Sequence, residues 1–330
     1  MKYLNLKYLF LTIFASTLFL SCDKDDDGPQ PETDLRLFTQ VAVWGNISDG
    51  DGGGGYGTGY GGGYGNSNED TVVFSNPNGI AIDANNNVYI TEFSNHRVQK
   101  FTPDGELLIQ WGSEGSGDGQ FLSPTGIAID SQGNIYVSES GNHRVQKFTA
   151  EGEWLMTIGE QGQFNAAMVL AIDAEDNIYV TDWGNGRVQV FDSMGTYLRA
   201  ISEQGTQDGM LQNPTGINID HESNIWVVDR GNNRIQKFTL DGDLLSVFGT
   251  TGENEGEFLV PTSINFDSEG NFYVSEVNNS RVQVFSSEGM YLGEVGTGLF
   301  EMPHGLTFDS AGFLYITDTG NNVVRKFQRN

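Results

Sequence analysis

A seven-residue phrase ending in Asp returns six times along this chain of 330 residues. Pro77-Asn78-Gly79-Ile80-Ala81-Ile82-Asp83 recurs as Pro124-Thr125-Gly126-Ile127-Ala128-Ile129-Asp130, then in altered form at 167–173, 214–220, 261–267 and 303–309. The six Asp residues stand 47, 43, 47, 47 and 42 positions apart. Such a period belongs to repeat architectures, in which one unit buries its apolar face only against its neighbours. The repeats therefore outrank chain length as a guide to domain number, and they predict one ring rather than two domains.

Within a unit, apolar runs of about five residues alternate with turn signals, as short antiparallel strands require. In the second unit the runs are 126–130, 134–139, 144–148 and 154–158. Asp130-Ser131-Gln132-Gly133-Asn134 and Asp267-Ser268-Glu269-Gly270-Asn271 read as turns between the first two strands, with Asp as cap and Gly or Asn in the left-handed conformation. Asp104-Gly105, Glu151-Gly152, Asp241-Gly242 and Glu288-Gly289 read as turns between the last two. A content of 44 Gly and 12% aromatic residues suits such a fold. The predicted class is all-β: a six-bladed propeller of four-stranded antiparallel blades.

The third strand carries Asn95-His96-Arg97-Val98-Gln99-Lys100-Phe101, repeated at 142–148 and, as Asn233-Arg234-Ile235-Gln236-Lys237-Phe238, at 233–238. Together with the Asp-ending phrase, this motif resembles the NHL repeat over residues 71–330, and the resemblance implies a six-bladed propeller. An acid stands five positions before the Arg in five units: Glu92, Glu139, Asp182, Asp229 and Glu276 precede Arg97, Arg144, Arg187, Arg234 and Arg281. An ion pair clamping a loop within each blade accounts for this regularity better than a ligand-binding charged ring. In the sixth unit Asp318 faces Val323, and Arg325, two residues on and on the same strand face, is expected to take over.

The last unit ends after a third strand, leaving an edge to be covered. Val41-Ala42-Val43-Trp44-Gly45 matches the fourth-strand ending Leu108-Ile109-Gln110-Trp111-Gly112. This N-terminal strand is predicted to close the ring on the C-terminal blade. Residues 46–76 read as a Gly/Tyr-rich insertion within a propeller domain spanning 35–330. Its Tyr56, Tyr60 and Tyr64 would lie on the face of the channel mouth.

Ahead of the domain, residues 1–21 read as an export signal, with Lys2 and Lys7 before the apolar stretch 8–20. Leu20-Ser21-Cys22 resembles a bacterial lipobox, which implies lipidation at Cys22, the only Cys in the chain. The acidic, Pro-bearing residues 22–34 read as a solvated tether. An acidic run behind the lipidated Cys resembles the surface-export tag of Bacteroidetes lipoproteins, implying an outer-membrane protein displayed on the surface; a periplasm-facing tether is the alternative. The membrane is met through the lipid anchor only.

A formal charge of -27 repels phosphate backbones, so nucleic acid is not an expected partner. By register, the channel mouth is ringed by Asn78, Thr125, Met168, Thr215, Thr262 and His304, with Trp183 and Arg230 on the same face. One His without a carboxylate makes no metal site, and no cofactor is expected. Peptide-amidating lyases that share the repeat use several metal-binding histidines, and calcium-dependent lactonase propellers use central carboxylates; neither set is recognisable here. The zinc modules of eukaryotic NHL proteins are missing too. The reading is a monomeric binding or scaffolding module for a protein or carbohydrate ligand. The alternatives are a lyase or hydrolase centred on His304 and a carbohydrate-capture accessory protein using Trp111, Trp183 and the loop tyrosines.

Overall fold

Every residue of the second strand Ile135–Glu139 is buried, and so are those of Val88–Glu92, Ile178–Asp182, Ile225–Asp229, Phe272–Glu276 and Leu314–Asp318. A strand hidden on both faces needs a packed layer on each side. The computed structural model, which describes residues 37–45, 72–159 and 162–330, supplies those layers as six four-stranded antiparallel sheets. In the first blade the strands are Pro77–Ile82, Val88–Glu92, Arg97–Phe101 and Leu107–Trp111. First strands of successive blades touch all the way round, the sixth meeting the first, and enclose a central channel. Fourth strands form the outer rim, where Leu107 and Leu108 are exposed. The signal, the tether, Cys22 and the loop tyrosines Tyr56, Tyr60 and Tyr64 lie outside the described residues.

The core is a set of wedges between blades. One wedge joins Val98 and Tyr89 of the first blade to Ile127, Ile135 and Phe148 of the second. Another joins Trp44, Tyr315 and Val324 of the sixth to Ile80, Val88 and Phe101 of the first. Phe74, inside the stretch read as an insertion, is only 3% exposed and packs on Phe101. It fills the place that Phe121 fills in the next wedge, so the blade framework resumes before Pro77. Hairpin glycines complete the stacking: Gly105 and Gly152, both at positive φ, lie so close to the rings of Trp44 and Trp111 that a Cβ would meet them within 3 Å. Trp111 also packs between Tyr89 and Phe148. It contributes to the packing between the first two blades.

The Asp that ends each phrase organises the turn behind it. Asp130 Oδ1 accepts from the backbone N–H groups of Gln132 (3.0 Å) and Asn134 (2.8 Å), while Oδ2 accepts from the hydroxyl of buried Tyr136 at 3.2 Å. Lys147 Nζ stands 3.1 Å from the same carboxylate and lies over the Tyr136 ring. Burial opposes ionisation of Asp130, but bonds from Asn134 and Lys147 outweigh it and hold the carboxyl below the usual range. The neighbouring phenol of Tyr179 in the third blade is pushed up to about 12 by burial and then by Asp173. In the fourth blade Trp226 Nε1 replaces the phenol at 2.8 Å from Asp220.

Ring closure is antiparallel: Phe38–Trp44 pairs with Val323–Arg329, from Phe38 opposite Arg329 to Trp44 opposite Val324, with an irregularity between Gln40 and Ala42. The closing strand is longer than the segment 41–44 expected to form it, because Phe38 anchors its outer end in the wedge between the fifth and sixth blades. Connections between blades explain the uneven repeat spacing. Three long ones carry parallel bridges, Glu114 with Phe121, Gln204 with Leu211, and Thr250–Thr251 with Glu257–Phe258. The two short intervals of the repeat fall at the other connections.

Candidate functional site at the channel mouth

The acid–Arg pairs are clamps. Arg144 Nε reaches Glu139 at 2.6 Å, Arg187 reaches Asp182 at 2.9 Å, and Arg234 and Arg281 reach Asp229 and Glu276 at 2.7 Å, with Arg97 and Glu92 paired likewise. Arg325 takes over in the sixth blade, 2.6 Å from Asp318. These carboxylates have no accessible surface. Glu139 also accepts from Leu122 N–H (2.9 Å), Asn142 Nδ2 (2.6 Å) and Gln146 Nε2 (2.8 Å), so all its lone-pair directions are taken. In the second to fifth blades the Asn two positions before the Arg and the Gln two positions after it are thus both ligands of the same buried acid. Among the described residues, no ring of free charge is left at the mouth.

The histidines beside these clamps also join blades. His96 Nδ1 accepts from Ser123 N–H at 3.1 Å, and His143 Nδ1 from Ala166 N–H at 2.8 Å. Each sits at positive φ, a conformation in which His is over-represented.

A third system of bonds runs round the mouth itself. Thr91, Thr181 and Thr317, from second strands, donate to the carbonyls of Thr125, Thr215 and Asn78 in the following blade, each at 2.7 Å. Ser275 donates to the carbonyl of His304 at 2.5 Å, and Ser138 to that of Met168. The seam between the fourth and fifth blades differs, because Val228 holds the position of these hydroxyls and has none to give. Its Cγ2 lies beside Gly216, close to the carbonyl of Thr262.

All six positions named from register bound one cavity of about 190 Å³, together with Phe93 and Arg230. They divide into two kinds. Thr125, Thr215 and Thr262 are 1%, 4% and 7% exposed, and their hydroxyls turn sideways: Thr125 donates to Met168 O at 2.6 Å, Thr262 to Pro303 O at 3.2 Å. Thr215 lies 3.4 Å from Pro261 O. Asn78, Met168 and His304 are half-buried and face the opening. A second cavity of about 240 Å³ continues down the channel and shares Ile80, Ile127, Val169, Ser263 and Leu306 with the first, so a mainly aliphatic waist forms the floor of the mouth.

The rim of the cavity comes from residues that follow the buried acids. Phe93 after Glu92 and Arg230 after Asp229 bound it; Trp183 after Asp182 holds the equivalent place but is outside its lining. The indole N–H of Trp183 is buried without a hydrogen-bond partner. Phe93 was not anticipated, because rim positions vary from blade to blade and have no repeated residue to flag them. Its signal was its place directly after Glu92.

Two titratable groups meet here. His304 Nδ1 lies 3.0 Å from Met302 O, an acceptor, so Nδ1 carries the proton and neutral His304 keeps a lone pair on Nε2. Burial lowers its pKa, Arg230 lowers it further, and the Met302 bond only partly offsets them. Burial also bears on Arg230, whose pKa is lowered although a guanidinium stays protonated at neutral pH. Among the described residues no cluster of His, Cys, Asp and Glu is arranged to hold a metal ion.

Comparison with known proteins agrees with this architecture. Residues 74–101, 121–148, 258–285 and 300–327 match the NHL repeat family, and 166–248 match a family described as a 6-bladed beta-propeller. The chain is 37% identical over 49 residues to Protein brain tumor of Drosophila melanogaster, a stretch covering 15% of this chain and 5% of that protein. Among solved structures, it is similar to a catalytically inactive virginiamycin B lyase from Staphylococcus aureus with quinupristin (TM-score 0.59, 15% identity, 77% of this chain and 80% of that one). It is also similar to a gluconolactonase from Xanthomonas campestris (TM-score 0.64, 20% identity, 78% and 87%). A structural genomics protein of unknown function from Bacteroides thetaiotaomicron resembles it equally (TM-score 0.64, 19% identity, 81% and 73%). At such identities the likeness to these structures is one of fold. With six blades of four strands each and the repeat matched in four of them, the chain is an NHL-repeat protein with the six-bladed β-propeller fold.

Proposed function

We propose that this protein is a binding module of the cell envelope, held to the membrane by lipidated Cys22 and taking a small ligand, or one end of a larger one, at the channel mouth. The observation that carries the reading is the convergence of side chains with no structural duty. Asn78, Phe93, Met168, Arg230 and His304 bound one cavity while the threonines, clamps and flanking histidines between them are consumed in holding blades together. A volume of about 190 Å³ is below the ~300–1,000 Å³ of drug-sized sites, which favours a compact ligand or a terminal group. The charge of -27 and the tether argue for a soluble face turned outward from the membrane, with no affinity for nucleic acid.

A second reading, a lyase or hydrolase, draws on neutral His304, whose free Nε2 suits a general base, and on the lyase and gluconolactonase among the similar structures. Among the described residues no carboxylate or second His lines the cavity to serve as its partner. The two readings part on one experiment: screening small fragments by NMR against wild-type protein and His304→Ala. Binding at the mouth without turnover in either protein supports the module. Turnover of a bound fragment that disappears in His304→Ala supports the enzyme.

A further inference from the structure

Among the described residues of a strongly acidic protein, Arg230 has no counter-ion. Every other described Lys and Arg makes an ion pair or donates to an oxygen. With 44 acidic residues against 17 basic ones, pairing is the statistical default. Arg230 is half-buried on the three-residue turn Arg230–Asn232, and no oxygen of the described residues meets its guanidinium. Its charge opposes protonation of His304. A desolvated guanidinium with five donors facing an open cavity is costly unless something enters to accept from them.

We propose that the mouth cavity takes a small organic carboxylate with an apolar body, its carboxylate paired with Arg230 and its body lying against Phe93, Met168 and the aliphatic floor. The inference rests on the reading of the mouth as a binding site and specifies the ligand class. A planar guanidinium fork matches a carboxylate in a bidentate pair. One Arg offsets one charge, and the field of a chain at -27 disfavours a dianion such as phosphate. His304 Nε2, as an acceptor, adds a preference for a ligand that carries an N–H or O–H donor beside the carboxylate. Asn78 across the opening offers both donor and acceptor.

The test is titration of the purified full-length protein with phenylacetate, phenylacetamide and inorganic phosphate, followed by chemical shifts of the Phe93, Met168 and His304 side chains. Phenylacetate should bind at these residues about tenfold or more tightly than the isosteric amide, as a charge-assisted bond predicts. Arg230→Gln should bring the two to near parity, and Arg230→Met, which keeps the length of the side chain, should do the same; thermal melting checks that each variant is folded. Equal binding of acid and amide to wild type, a preference that survives both variants, or phosphate matching phenylacetate would overturn the carboxylate assignment and leave the cavity as a binding site. Shifts at none of the three side chains with any probe would overturn both.

Discussion

Thr317 of the sixth blade donates to the backbone carbonyl of Asn78 in the first at 2.7 Å, across 239 positions of sequence. The same bond occurs at four other seams, and its absence beside Val228 makes the joint between the fourth and fifth blades the natural place for improvement. Val228→Thr keeps the shape and supplies a hydroxyl next to Thr262 O and the N–H of Gly216. It should raise stability by about 0.5–1.5 kcal/mol, read as a higher urea midpoint with an unchanged slope.

Glu139→Ala removes an acceptor to which Arg144, Asn142, Gln146 and Leu122 N–H all donate. Breaking a buried pair of this kind costs roughly 3–5 kcal/mol. Glu222→Ala, at a side chain 65% exposed, should stay within about 0.5 kcal/mol. Equal effects in denaturant melts would mean that the clamp contributes little.

Trp44 packs on Phe101, Tyr315 and the hairpin at Gly105. Trp44→Ala should destabilise by about 3–5 kcal/mol. Deleting residues 37–45 should lower the melting temperature further, since the strand Val323–Arg329 then keeps an unpaired edge. A truncated protein that melts like the intact one would show that the ring does not depend on this strand.

His304 is held below its ordinary pKa of 6.5. Unfolded, the ring takes up a proton near 6.5; folded, it does so only at lower pH. The stability tied to its neutrality is therefore complete above 6.5 and lost as pH falls toward the folded value. The NMR titration of His304 should have its midpoint below 6.5, and Arg230→Gln should move that midpoint upward by removing a neighbouring positive charge. His304→Asn should flatten the part of the acid-induced stability loss that begins at 6.5.

Cys22→Ala should release the protein from the membrane fraction or leave its precursor unprocessed. Several acyl chains anchor durably where one does not. Membrane association that persists in this variant would remove the lipid-anchor proposal.

Much of the ring was legible because repetition makes separate copies of a residue vote for one role. The pairing of Glu139 with Arg144, and even the substitution of Arg325 in a blade whose Arg position holds Val323, followed from strand spacing. The repeated Asn142 and Gln146 were equally visible, yet that they share the carboxylate of Glu139 depends on side-chain reach rather than spacing. Register brought Thr125 and His304 to the same mouth, but not the direction of their polar atoms. A threonine hydroxyl turns either toward the channel or toward the next blade, and only the position of the neighbouring carbonyl decides. Register puts Arg230 at the mouth, where it lines the cavity, while its lack of a partner among the described residues is a fact about empty space that no sequence pattern records. Phe93, which belongs to no repeated motif, shows the same limit.

The strand Phe38–Trp44 finds its partner in Val323–Arg329, nearly the whole described chain later. A chain made or exported from its N-terminal side carries this strand unpaired, with Phe38 and Trp44 uncovered, until the final unit has emerged. Closure is therefore the late event of assembly, and the blades between must tolerate an open arc while they wait. The interval is a window for chaperone capture, and it postpones the commitment to a finished ring until every blade is present.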